Sequence, residues 1–115
     1  MKEGNVILEK SMDFAVRIVR LCRYLNDEKC ENVMSKQLLR SGTSIGANAH
    51  EAVYGQSKND FIAKMSIALK EASETEYWLK ILYRTEYLSK EAYESIQKDC
   101  SEIAKILISI VRTSK

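Results

Sequence analysis

The basic side chains Lys10, Arg17, Arg20 and Arg23 carry the strongest chemical signal in the sequence. From Lys10 to Leu25 they are accompanied by one acid, Asp13, so four positive charges minus one negative leave +3. Read as a helix, the segment turns these residues roughly away from Phe14, Ile18, Leu21 and Leu25, apolar positions recurring at spacings of four, three and four. Such a surface attracts phosphates with a salt-dependent affinity, and repetition around an assembly multiplies the effect. The same residues also suit an ordinary solvated face, with Asp13 and Arg17 paired one turn apart. The whole chain, with 18 basic and 16 acidic side chains and a net charge of +2, does not decide between the two.

Catalytic readings find little to work with. His50 is the only histidine, so no histidine pair can hold a metal, and Glu51 points about 100° away from it on a helix. Cys22 and Cys100 fall on apolar faces, where a thiolate is disfavoured. Glu71 and Glu74 lack the Glu-x-x-His partners of a di-iron bundle and suit a structural ion pair better. The expectation is a non-enzyme with no cofactor and no metal.

Arg40-Ser41-Gly42-Thr43-Ser44-Ile45-Gly46-Ala47-Asn48 is the most unusual stretch. It is not a phosphate-binding loop: no strand pattern precedes it and no lysine follows the second glycine. Gly42 and Gly46 lie one helical turn apart, in line with Leu39 and Val53, and are expected to let another backbone approach closely. Each glycine costs roughly 1 kcal/mol relative to alanine in a helix. The expected occupant of the space is a set of large side chains on the third helix. Arg40, Asn48 and Glu51 are placed to reach Glu71 or Glu74.

The elements that carry these residues follow from composition and periodicity. The 115 residues suffice for one domain, 1–115, and with 45% hydrophobic and 30% charged residues the balance is that of a globular protein. There is no proline and only 4 glycines, so helices are scarcely interrupted and the turns of a sandwich or barrel are missing. An odd count of 3 cysteines without ligand spacing fits a reducing compartment, and no stretch reads as a signal peptide or a membrane span. A cytoplasmic location with no membrane partner is expected.

Four helices are predicted: about Glu9 to Leu25; from Cys30–Asn32 to Gly55–Ser57; about Lys58 to Tyr87; and one capped by Ser89. Their inward stripes are Met34, Leu38, Ser41, Ile45, Ala49 and Ala52 on the second, Phe61, Met65, Ala68, Ala72, Thr75, Leu79 and Leu82 on the third, and Tyr93, Ile96, Cys100, Ile103, Leu107 and Ile110 on the fourth. Short breaks between them predict an all-α, antiparallel up-down-up-down four-helix bundle. Ile67, Glu71, Glu74, Trp78 and Ile81 form a second stripe on the third helix, roughly 100° from the first, and Val19 lies beyond the core edge of the first helix. These six residues are either the margin of one broad core or a contact between subunits.

The glycine-serine segment with Glu51-Ala52, and a second block comprising Asp60-Phe61-Ile62, Lys64, Ile67-Ala68-Leu69-Lys70-Glu71-Ala72, Glu74-Thr75 and Tyr77-Trp78-Leu79, resembles the bacterial four helix bundle family that includes proteins encoded in 23S ribosomal RNA intervening sequences. The resemblance spans nearly the whole chain and departs from the family pattern at Ala49-His50. It implies a bundle that assembles as a homopentameric ring. The family is similar to the accessory variability determinant protein of diversity-generating retroelements, a basic pentamer that binds nucleic acid and a reverse transcriptase. Two functions are therefore expected. One is RNA or DNA binding through Lys10, Arg17, Arg20 and Arg23; the other is a protein-binding adaptor for a reverse transcriptase or ribosomal component.

Overall fold

The computed structural model describes the backbone of residues 2–115 and the side chains of residues 5–115. It contains four helices, α1 (Lys2–Asp27), α2 (Met34–Val53), α3 (Lys58–Arg84) and α4 (Lys90–Ser114), with no strand among the described residues. Side-chain pairs fix their directions. Gly42 lies on Ile18 and Gly46 on Ser11; Tyr83 stacks on Tyr93, while Cys100 donates to the Ala72 carbonyl. In each pair one residue number rises as the other falls, so neighbouring helices run antiparallel. Each helix packs on its neighbours in sequence, and α1 meets α4 to close the four, giving a body of 43 × 20 × 18 Å.

Of the positions assigned inward above, all are buried except Leu21, Met34, Phe61 and Tyr93, which are partly buried and pack against the core from its edge. The buried positions form one continuous core. Two polar groups inside it satisfy each other: the Thr75 and Ser41 hydroxyls lie 2.9 Å apart, and Thr75 also reaches the Glu71 carbonyl.

The helix boundaries differ from the sequence expectation at five places; two are small, α1 running on to Asp27 and α2 ending at Val53, before Gly55. α1 begins at Lys2, a full two turns before Glu9, because Ile7 and Ser11 continue the buried stripe below Phe14. Gly4 and Asn5 are poor helix formers, and they mask that continuity in the sequence. α2 begins at Met34 rather than Cys30–Asn32, because the chain first reverses at Cys30 with φ 53°. The buried Glu31 carboxylate then accepts from the backbone N–H groups of Val33, Met34 and Ser35, which the helix itself leaves unpaired. α3 stops at Arg84 instead of Tyr87. Glu86 adopts φ 71°, and Tyr87 N–H donates back to Leu82 while Glu86 N–H donates to Tyr83. That pair of bonds is a Schellman closure, with Glu86 standing where glycine is usual. The Ser57 and Ser89 caps form as expected, accepting from the N–H groups of Asp60 and Ala92 at 3.1 Å.

The glycine pair faces α1 and not α3. A Cβ on Gly42 would sit 2.8 Å from Ile18 Cγ1, and one on Gly46 would sit 3.1 Å from Ser11 Oγ. The α3-facing side of α2 is occupied instead by Ser41, so the close approach needed there is met by a small hydroxyl residue.

Candidate binding surfaces

Lys10 and Arg17, two of the four basic residues singled out on α1, are committed to α4. The Arg17 guanidinium donates to the Asp99 carboxylate at 2.5 Å and to Ser95 Oγ at 3.1 Å, and Lys10 lies 3.8 Å from Glu102. Arg17 thus takes its carboxylate from the neighbouring helix, not from Asp13. These pairs bridge α1 and α4, the sparsest of the four contacts between adjacent helices. Arg20 and Arg23 remain exposed, and neither pairs with an acid among the described residues. The surface keeps half of its expected cations free.

The second stripe of α3 is partly a link within the chain. Arg40 of α2 donates to Glu71 at 3.0 Å and also to Glu74, and the Trp78 indole N–H donates to Glu74 at 3.2 Å. The hydrogen bond from Trp78, and then Arg40, hold the Glu74 carboxyl below its ordinary range. Trp78 is half-buried against the core, and Ile81 is also partly covered. Ile67 is 41% exposed. Glu51 pairs with Lys64 rather than with Glu71 or Glu74, and Asn48 bonds to the Ser44 carbonyl of its own helix.

A larger apolar surface lies on the α1–α2 side. Met12, Val16 and Val19 of α1 and Leu39 of α2 are all at least 36% exposed, with Met12 at 64%. Beside them Leu8, Ala15, Thr43 and Ala47 line an open cleft of 560 Å³. Of these residues only Val19 belonged to the expected contact set. The spacing of Met12, Val16 and Val19 by four and three is the sequence signal of this strip. Solvent-exposed apolar residues aligned in this way mark an interaction surface.

The side chains considered for catalysis are dispersed. Burial pushes the Cys22 thiol up to about 11 and the Cys100 thiol up to about 12. Both serve the core, donating to the Ser35 and Ala72 carbonyls respectively. His50 is exposed and packs its ring 4.7 Å from that of Tyr54. Among the described residues no three His, Cys, Asp or Glu side chains converge to hold a metal ion, and no helix is long and apolar enough to cross a membrane.

The family model for the 23S rRNA-intervening sequence protein matches residues 3–109 of the chain. The chain belongs to this family. A crystal structure of a protein of unknown function from the S23 ribosomal protein family of Bacteroides thetaiotaomicron VPI-5482 is similar throughout, at 61% identity and a TM-score of 0.94. That alignment covers 96% of this chain and 98% of the other. No curated protein sequence matches. Membership extends across all four helices, so the apolar α1–α2 surface, the Arg40 cluster and the α1–α4 seam all lie inside the matched region.

Proposed function

We propose that this family member is a non-enzymatic bundle that assembles with copies of itself, as a homopentameric ring, and binds nucleic acid through Arg20 and Arg23. The observation that carries the reading is the adjacency, on α1, of the exposed strip Met12–Val16–Val19 and the guanidinium groups of Arg20 and Arg23, which have no acidic partner among the described residues. Burial of the strip against a second copy removes apolar area from water at roughly 25 cal/mol per Å². Each closure would also bring another Arg20–Arg23 pair onto the same assembly, and phosphate neutralisation scales with the number of cations presented. Free buried thiols suit action in the reducing cytoplasm.

Light scattering of the wild-type chain should report a pentamer, and Val16→Glu should release smaller species. A wild-type monomer rejects the ring. Fluorescence anisotropy with labelled RNA and DNA should show binding that weakens as salt is added, and Arg20→Glu with Arg23→Glu should abolish it. Binding unchanged by that pair would remove the arginines from the reading.

The commitment of Lys10 and Arg17 to Glu102 and Asp99 favours a second reading, an adaptor that binds protein, such as a reverse transcriptase or ribosomal component, with no nucleic-acid affinity of its own. A pull-down that recovers a protein partner, together with flat anisotropy at physiological salt, selects it.

A further inference from the structure

The end of the bundle near the α3–α4 turn holds a cleft of 540 Å³ that none of the surfaces above uses. Tyr24 of α1, Tyr83 of α3 and Tyr87 of the turn line it, together with Leu21, Lys29 and Glu86. Tyr24 is 44% exposed, whereas Tyr83 is held by stacking on Tyr93 at 4.5 Å and an interplanar angle of 4°. The cleft is therefore aromatic and partly rigid. It shares Leu21, Leu88 and Ala92 with a second, 370 Å³ cleft that follows the α1–α4 seam and is lined by Arg17 and Arg20. One continuous depression thus runs from three tyrosines to two guanidinium groups, of which Arg20 has no acidic partner among the described residues.

We infer that this depression seats an unpaired nucleotide of a single-stranded nucleic acid, with the base among Tyr24, Tyr83 and Tyr87 and the adjoining phosphates at Arg20 and Lys29. The inference deepens the proposed nucleic-acid function and rests on it. Sequence-tolerant binding of single strands combines aromatic faces for the bases with a cationic track for the backbone. Both parts are present here and contiguous. A base inside a duplex is already stacked and cannot enter, so the site discriminates single strands from double strands.

Glu86 fits the same assignment. It occupies a left-handed backbone position, φ 71°, where glycine would be unstrained, and its side chain lines the cleft. A carboxylate there repels phosphate from the aromatic end and accepts hydrogen bonds from the amino and imino groups of a base.

The test is anisotropy titration of the full-length protein with a labelled, unstructured 20-nucleotide RNA and with the same strand annealed to its complement. The wild type should prefer the single strand. Tyr24→Ala should weaken single-strand binding about tenfold and leave the duplex affinity unchanged, a loss in line with one stacked base. Tyr24→Phe, which keeps the ring, should restore it. Arg20→Glu should weaken both forms. Tyr24→Ala equal to wild type on the single strand, with Arg20→Glu still defective, overturns the base site and leaves the arginine reading standing. Absence of binding to either RNA overturns both. Tyr24 is exposed, and an unchanged circular-dichroism melt of its variants separates loss of binding from loss of fold.

Discussion

Arg17 of α1 donates to the carboxylate of Asp99 on α4, 82 residues away in the chain, and so turns a residue of the basic stripe into a bridge between two helices. The two side chains remain 38% and 42% exposed, so water screens the pair and its contribution is modest.

A double-mutant cycle of Arg17→Ala and Asp99→Ala in urea should give a coupling of about 0.2–1 kcal/mol. Asp99→Asn should free Arg17 for ligands. If nucleic acid follows the α1–α4 seam, its log-log salt dependence should then steepen by about 0.7–0.9 for the added phosphate contact.

The glycine pair of α2 should respond unequally to alanine. A Cβ at Gly42 meets two carbons of Ile18 below 3.0 Å, and the branched Ile18 side chain is fully buried with nowhere to move. Gly42→Ala should destabilise by about 1–3 kcal/mol, as overpacked core substitutions do. At Gly46 the first contact is the Ser11 hydroxyl at 3.1 Å. Better helix propensity, worth about 1 kcal/mol, opposes the crowding there, so Gly46→Ala should stay close to wild type. Denaturant midpoints of the two variants check the order.

Glu31 acts as the cap of α2 from outside the helix. Glu31→Ala should cost about 1–2 kcal/mol, since its carboxylate receives three backbone N–H groups. Amide exchange should accelerate first at Met34 and Ser35. An unchanged midpoint would mean that water replaces the carboxylate without loss.

The three thiols should separate by burial. Cys30 is exposed and should react with a disulfide reagent at pH 8, while Cys22 and Cys100 should react only on unfolding. Their folded values, about 11 and about 12, lie above the ordinary 9.0, so the unfolded chain releases these protons first. Stability from the neutral buried thiols is complete below pH 9 and falls as pH rises from there toward 11 and 12. Cys22→Ala should flatten that alkaline limb in melts recorded at increasing pH.

Glu86→Gly should stabilise the fold by about 1 kcal/mol, because a left-handed residue with a Cβ carries a penalty of roughly 1–2 kcal/mol that glycine escapes, less glycine's greater chain entropy. A lower melting temperature would show that the Glu86 side chain holds the turn.

Four helices and the inward stripe of each were legible in the residues alone, because apolar positions such as Met65, Ala68, Ala72 and Leu79 repeat with the helical period, and a period is a local property. So were the Ser57 and Ser89 caps, whose bonds close within three residues. Packing settled what depends on distant partners. The direction in which Gly42 faces, the carboxylate that Arg17 finds on α4, and the meeting of Tyr24 with Tyr83 and Tyr87 in one cleft follow from how the helices rotate and pair. Those choices are made by contacts between residues tens of positions apart, and no spacing along a single helix encodes them.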